Sequence, residues 1–220
     1  MSTVIADSGD DLGYDVHVDG ETYRAVSGGR TRIDAVNDGL RAYRDDVVTD
    51  SLAARRVETA IMTFGEEVRT VCDFTIAEAF HPPELQTSGA TPMGAAVNEA
   101  IDMLEGRKRT YKEHGIAYFR PWIFLITDGG PTDGWKTAAD RARRGDEEKK
   151  FAFFAVGTDE GAKLDVLARF SPRKPLLLKG YRFNEMFQWL SQSLRSVSRS
   201  TPGEDVPLLN PTGPDGWASV

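Results

Sequence analysis

One cysteine, Cys72, stands in 220 residues, so no intrachain disulfide framework supports this fold. Its setting, VRTVCDF, alternates like a strand, and the thiol reads as a small hydrophobe rather than a nucleophile or redox centre. Histidine is equally scarce. The three present, His17, His81 and His114, lie in separate segments without metal-ligand spacing. No run approaches the roughly 18 apolar residues of a membrane span, and the opening MSTVIADSGDDLG has neither the basic start nor the apolar centre of a signal peptide. The cytoplasm is the compartment expected. Lysine and arginine number 27 against 34 acidic residues, a net charge of −7 with no basic block able to track a phosphate backbone, which argues against nucleic acid as a partner. No GxxxxGK[ST] phosphate loop and no nucleophile-elbow pattern occurs, and Gly28-Gly29 alone does not make a phosphate cradle.

What the chain has is enough apolar material for a core: 40% hydrophobic and 10% aromatic residues, consistent with one domain plus tails. Its most informative stretch is PWIFLITDGGPTDGW, where Trp122 to Ile126 run without polar alternation and end at Asp128. A continuous apolar run fits a strand covered on both faces, as in parallel sheets with helices above and below. Ligands of open α/β sheets sit beyond the carboxyl ends of such strands, which places Asp128 where recognition or chemistry occurs. A plain turn role for the same aspartate fits equally well.

Strand and helix signals alternate along the chain. Ile33, Val36, Leu40, Tyr43 and Val47 form one apolar stripe, and Thr31 with Asp34 resembles a capping box. Val57 to Phe64 reads as a strand and EVRTVCDF as its antiparallel hairpin partner. Met93, Val97, Ile101 and Leu104 define a second helix, with Pro92 at its first position. Asp133 is placed to cap a helix running to about Glu147. Lys150 to Gly157 is another apolar strand, AKLDVLARF a short helix and Pro175 to Lys179 a last strand. Phe183, Met186, Phe187, Leu190, Leu194 and Val197 mark the closing helix. Repeated βα units argue an α/β fold, a doubly wound, mostly parallel sheet with one antiparallel edge strand.

The first 30 residues allow several readings. YDVHVDGETYRAV alternates on both sides of Asp19-Gly20, a strong hairpin signal, and its last arm, Glu21 to Val26, then becomes the first strand of the domain. On this reading residues 1–20 are a divergent segment or hairpin arm, 21–199 the domain, and 200–220 an extended proline- and glycine-rich tail.

The segments RIDAVNDGL, VETAIMTFG, TSGATPMGAAVNEAID, RPWIFLITDGGPTD, KFAFFAVG and LKGYRFNEMFQWLSQSLRSVSRS, in this order, resemble a von Willebrand factor A domain over about Glu21 to Val197. The resemblance is strongest to cytoplasmic bacterial members associated with tellurite-resistance and stress-response gene clusters. It implies a Rossmann-like fold and a metal-ion-dependent adhesion site built from an Asp-x-Ser-x-Ser loop, a threonine and an aspartate. The last two map onto Thr91 and Asp128. Three registers compete for the first loop. The preferred one takes RAVSGGR, with Ser27 matching the first serine and Ala25 and Gly29 standing where an aspartate and the second serine belong. Asp19-Gly20-Glu21-Thr22-Tyr23 restores one carboxylate. Asp7-Ser8-Gly9-Asp10-Asp11 has the acids but a long spacer before Ile33.

The resemblance therefore implies Mg²⁺ held by Asp128, Thr91, Ser27 and Asp19, weakly if the first motif is degenerate. Thr91 and Asp133 also read as plain helix caps. The expected function is non-enzymatic binding of another protein of the same response system through Ser27, Thr91, Asp128 and Asp133. A metal-free scaffold using the same face differs only in mechanism. The alternative is a metal-dependent hydrolase or phosphoryl-transfer enzyme using Asp128, which lacks a paired base or nucleophile in this sequence.

Overall fold

The computed structural model describes residues 1–7, 14–18, 21–25, 31–86, 89–159 and 161–220. Its main sheet has seven strands: β1 (Ser2–Asp7), β4 (Glu58–Phe64), β5 (Val68–Ile76), β6 (Trp122–Thr127), β7 (Ala152–Gly157), β8 (Leu176–Leu178) and β9 (Ala218–Ser219). Their order is β5-β4-β1-β6-β7-β8-β9. The five inner strands run parallel, and β5 and β9 close the two edges antiparallel. The doubly wound reading is correct, with a second antiparallel edge added.

Two helices cover each face. On one side α1 (Arg32–Val48) and α6 (Phe183–Ser198) bury Leu40, Tyr43, Phe187 and Leu190 against Ile61, Phe124 and Ile126. On the other, α3 (Met93–Glu113) and α4 (Lys136–Glu147) bury Val97, Ile101, Leu104 and Ala142 against Met62, Ile123, Leu125 and Phe153. Successive residues of a strand point to opposite faces, so Ile123 and Leu125 serve one layer while Trp122, Phe124 and Ile126 serve the other. That double use is why WIFLIT shows no polar alternation. Two short helices, α2 (Ala53–Arg56) and α5 (Leu164–Leu167), fill connections. The expected capping box is present: Asp34 N–H donates to Thr31 Oγ1 at 3.2 Å, and Thr31 N–H to the Asp34 carboxylate at 2.9 Å.

The N-terminal reading needs correction. Tyr14–Val18 (β2) and Glu21–Ala25 (β3) do pair as the expected antiparallel hairpin around residues 19–20, but they form a separate two-stranded sheet. The first strand of the main sheet is β1, which lies between β4 and β6 with Ser2 opposite Thr59 and Trp122. Thr3-Val4-Ile5, β-branched throughout, suits a strand paired on both sides with parallel neighbours. The long spacer that counted against this register is the stretch that carries the hairpin.

The expected tail also returns to the body. Ser219 pairs with Leu177, and the Lys179 N–H donates to the Trp217 carbonyl at 3.0 Å. Trp217 is buried edge-on to Trp189, whose Nε1 donates to the Leu209 carbonyl at 2.7 Å. Among the described residues, no helix is long and apolar enough to cross a membrane.

At the start of β4, Glu58 is buried beside Arg107, whose Nε donates to it at 2.9 Å. Burial alone would raise the Glu58 carboxyl, but hydrogen bonds from Arg107 and Tyr111 and the Arg107 charge hold it below its ordinary value. Burial and the Glu58 charge push the Tyr111 hydroxyl up to about 12. A carboxyl depressed in the folded state contributes stability that is complete above its unfolded pKa of about 4.3 and is lost as pH falls through the folded value. Urea unfolding between about pH 6 and 3 should therefore show an acid limb that flattens in Glu58→Gln; an unchanged limb would remove Glu58 from the linkage.

Candidate functional site

The strand order reverses between β1 and β6: β1 leads through α1 to β4 on one side, and β6 leads through α4 to β7 on the other. Open α/β sheets bind ligands in the crevice at such a point. Ala6 pairs with Ile126, so β1 and β6 end side by side, at Asp7 and Thr127. Asp128 follows directly, as the sequence suggested. Asp7, set aside in the preferred register, ends the neighbouring strand.

The Asp128 loop and the Thr91 loop are fastened together. The Thr132 N–H donates to the Thr91 carbonyl at 2.9 Å, and the Thr91 N–H to Thr132 Oγ1 at 3.2 Å. Asp133 completes the link: its carboxylate accepts from Gly94 N–H at 2.9 Å and Ala95 N–H at 2.8 Å. Asp133 thus caps α3, across the loop, rather than the adjacent α4, whose N-cap residue is Trp135 and which has no side-chain cap. Cap chemistry was correctly expected, and tertiary contact chose a different helix. Gly94 makes the approach possible, since a Cβ there would lie 2.7 Å from the Trp135 Cα. The N-cap residue of α3 is Pro92, one residue beyond Thr91.

Two residues that local sequence reasoning missed complete the rim. Asp159, after β7, directs Oδ1 to the Gly161 N–H at 2.7 Å and Oδ2 to Arg32 Nη1 at 2.6 Å. The same Arg32 nitrogen is 3.6 Å from Asp128 Oδ2. Asp159 has the signature that flagged Asp128, an apolar strand ending in Thr-Asp, separated in this case only by the intervening Gly157. Nothing local marks Arg32, which occupies the first turn of α1. Ser27 and Asp19, expected as metal or partner residues, lie outside the described residues, as does the stretch 8–13. Of the histidines, His81 and His114 are exposed, and His114 Nδ1 bonds the Thr110 carbonyl of its own helix. Cys72 is half-buried on β5, where burial pushes its thiol up, as suits an inert position. Among the described residues, no group of three or more histidine, cysteine, aspartate or glutamate side chains is placed to hold a metal.

No family model matches the sequence, and a search of curated proteins gives no match. Solved structures do match. A von Willebrand factor type A protein from Catenulispora acidiphila superposes with a TM-score of 0.61 at 15% identity, over 89% of this chain and 42% of that one. Proximal thread matrix protein 1 of the mussel byssus, with a zinc-occupied MIDAS motif, gives 0.54 at 13% identity, over 88% and 47%. The manganese-loaded TRAP protein of Plasmodium vivax gives 0.52 at 15%, over 79% and 63%. This chain spans less than half the length of the first two. At such identities the likeness defines the fold, and the fold is that of a von Willebrand factor A domain.

Proposed function

We propose that this chain is a non-enzymatic protein-binding module whose interaction face is the rim carrying Asp7, Thr91 and Asp128, and that a divalent cation contributes to it. The observation that supports this most is the side-by-side ending of β1 and β6 at the reversal of strand order. In this reading the carboxylate partner of Asp128 is Asp7 rather than Asp19, and Ser27 has no part in the metal site. Asp128 and Thr91 offer the oxygen donors a hard cation requires, and the sequence after Asp7 adds Ser8, Asp10 and Asp11. That donor chemistry fits Mg²⁺ or Mn²⁺. When bound, the cation would supply a positive coordination position for a carboxylate of the partner protein. Asp133 serves this face by holding the Thr91 loop against the Asp128 loop. On the sequence resemblance, the partner is another protein of a bacterial stress-response system, of the tellurite-resistance type, acting in the cytoplasm.

Thermal and urea unfolding with Mn²⁺ or chelator tests the reading. A cation at about 100 times its Kd stabilises the fold by about 2.7 kcal/mol. Asp7→Ala and Asp128→Ala should each abolish that increment, and Asp19→Ala and Ser27→Ala should leave it intact. The reverse pattern would restore the hairpin register. Cation-stimulated hydrolysis of phosphate or ester substrates, lost in Asp128→Ala, would replace a binding module with an enzyme.

A further inference from the structure

Arg32 is placed against the local electrostatics of its own helix. It is the first residue of α1, whose start is pinned by the Thr31–Asp34 capping box, and a cation in the first turn faces the positive end of the helix dipole. Its position is explained by what lies beyond the helix: Asp159 Oδ2 at 2.6 Å and Asp128 Oδ2 at 3.6 Å, from the loops after β7 and β6. Those loops are themselves in contact, since a Cβ on Gly161 would lie 3.1 Å from the Asp128 carbonyl. One guanidinium nitrogen therefore lies within ion-pair distance of two carboxylates at the strand tips, and its single charge offsets one of their two.

We infer that Arg32 is a resident cation of this rim and sets its affinity for divalent metal: a metal ion at Asp128 must compete with the guanidinium already there. The inference rests on the metal-face reading above. The competition is favourable to exchange, because Arg32 sits 42% exposed on a flexible side chain and keeps Asp159 as a partner when it leaves Asp128. It also separates two states of the face. With Arg32 engaged, its charge lies beside Asp128 and opposes a second cation there. With metal bound, Arg32 is displaced toward Asp159.

The test is Mn²⁺ affinity, measured by titration calorimetry on the wild-type chain and on Arg32→Gln, Arg32→Lys and Asp128→Ala. Removing a unit positive charge beside a divalent ion should tighten binding by about tenfold or more at moderate salt. Arg32→Lys, which keeps the charge, should stay close to wild type. A role in helix packing alone would move neither affinity and would affect only the melting temperature. Should Arg32→Gln fail to fold, a Mg²⁺ titration of the wild-type chain read at the Arg32 Nε–Hε NMR resonance gives the same answer: it should shift as the metal binds. Arg32→Gln binding no tighter than wild type, with binding still lost in Asp128→Ala, or an Arg32 resonance that does not move while the Asp128 amide resonance does, overturns the inference and leaves the metal face standing. Absence of Mn²⁺ binding at millimolar concentration in both wild type and Arg32→Gln overturns both.

Discussion

Asp146→Ala should lower stability by about 3 to 5 kcal/mol, a loss expected when one member of a buried ionic cluster is removed. Asp146 is 3% exposed near the end of α4. Its carboxylate accepts from Arg120 Nη2 at 2.7 Å, from Phe153 N–H at 3.1 Å, from Ser171 Oγ at 2.8 Å and from Arg173 Nη1. Arg120 also donates to the carbonyls of Asp146 and Phe151, so one cluster joins α4 to β7 and to the loop before β8. Alanine removes the acceptor of a buried N–H, a hydroxyl and the Arg173 guanidinium, and leaves Arg120 with only the Asp146 and Phe151 carbonyls and no counter-charge. Asparagine keeps one acceptor oxygen and should lose less. Urea unfolding should show a lower midpoint with an unchanged slope. A loss below about 1 kcal/mol would mean that water replaces the carboxylate, as it does for exposed pairs.

The second large effect lies in the core. Phe124→Ala and Phe153→Ala should each cost about 3 to 5 kcal/mol, because both side chains are at most 1% exposed and leave cavities that the surroundings fill only in part. They belong to different layers. Phe124 stacks on Phe154 at a centroid distance of 4.7 Å and meets Trp189 edge-on, whereas Phe153 stacks on Phe170 at 5.9 Å on the opposite face. The milder pair Phe124→Leu and Phe153→Leu should therefore add to within about 0.5 kcal/mol. Coupling well above that would show that the sheet does not insulate the two layers.

Legibility in the sequence followed the range of the interactions. WIFLIT, AIMTF and FAFFAV could be read because burial on both faces suppresses alternation, and α1, α3 and α6 because their stripes are local. β1 escaped because six residues followed by SGDD make a weak signal, while Asp19-Gly20 marks a hairpin strongly. The hairpin is real, but its pairing says nothing about which strand enters the main sheet. The proline- and glycine-rich end read as a tail because burial of Trp217 depends on Trp189 and Lys179, far back in the chain. At the rim, the placement of Asp128 after its strand was legible and that of Arg32 was not. A first-turn arginine acquires meaning only when the β6 and β7 loops bring two carboxylates to it.

The position of β1 bears on how the chain folds. Its neighbours on either side, β4 and β6, lie far along the sequence, with Ser2 opposite both Thr59 and Trp122. Parallel pairing over such separations must close long loops before any contact rewards it, which slows folding. The β4–β5 hairpin and the α3 helix can form early and locally, but the slot between β4 and β6 is completed only when the two halves of the sheet meet around the first strand. Substitutions in β1 should then speed unfolding far more than they slow folding, the signature of a segment that docks after the transition state.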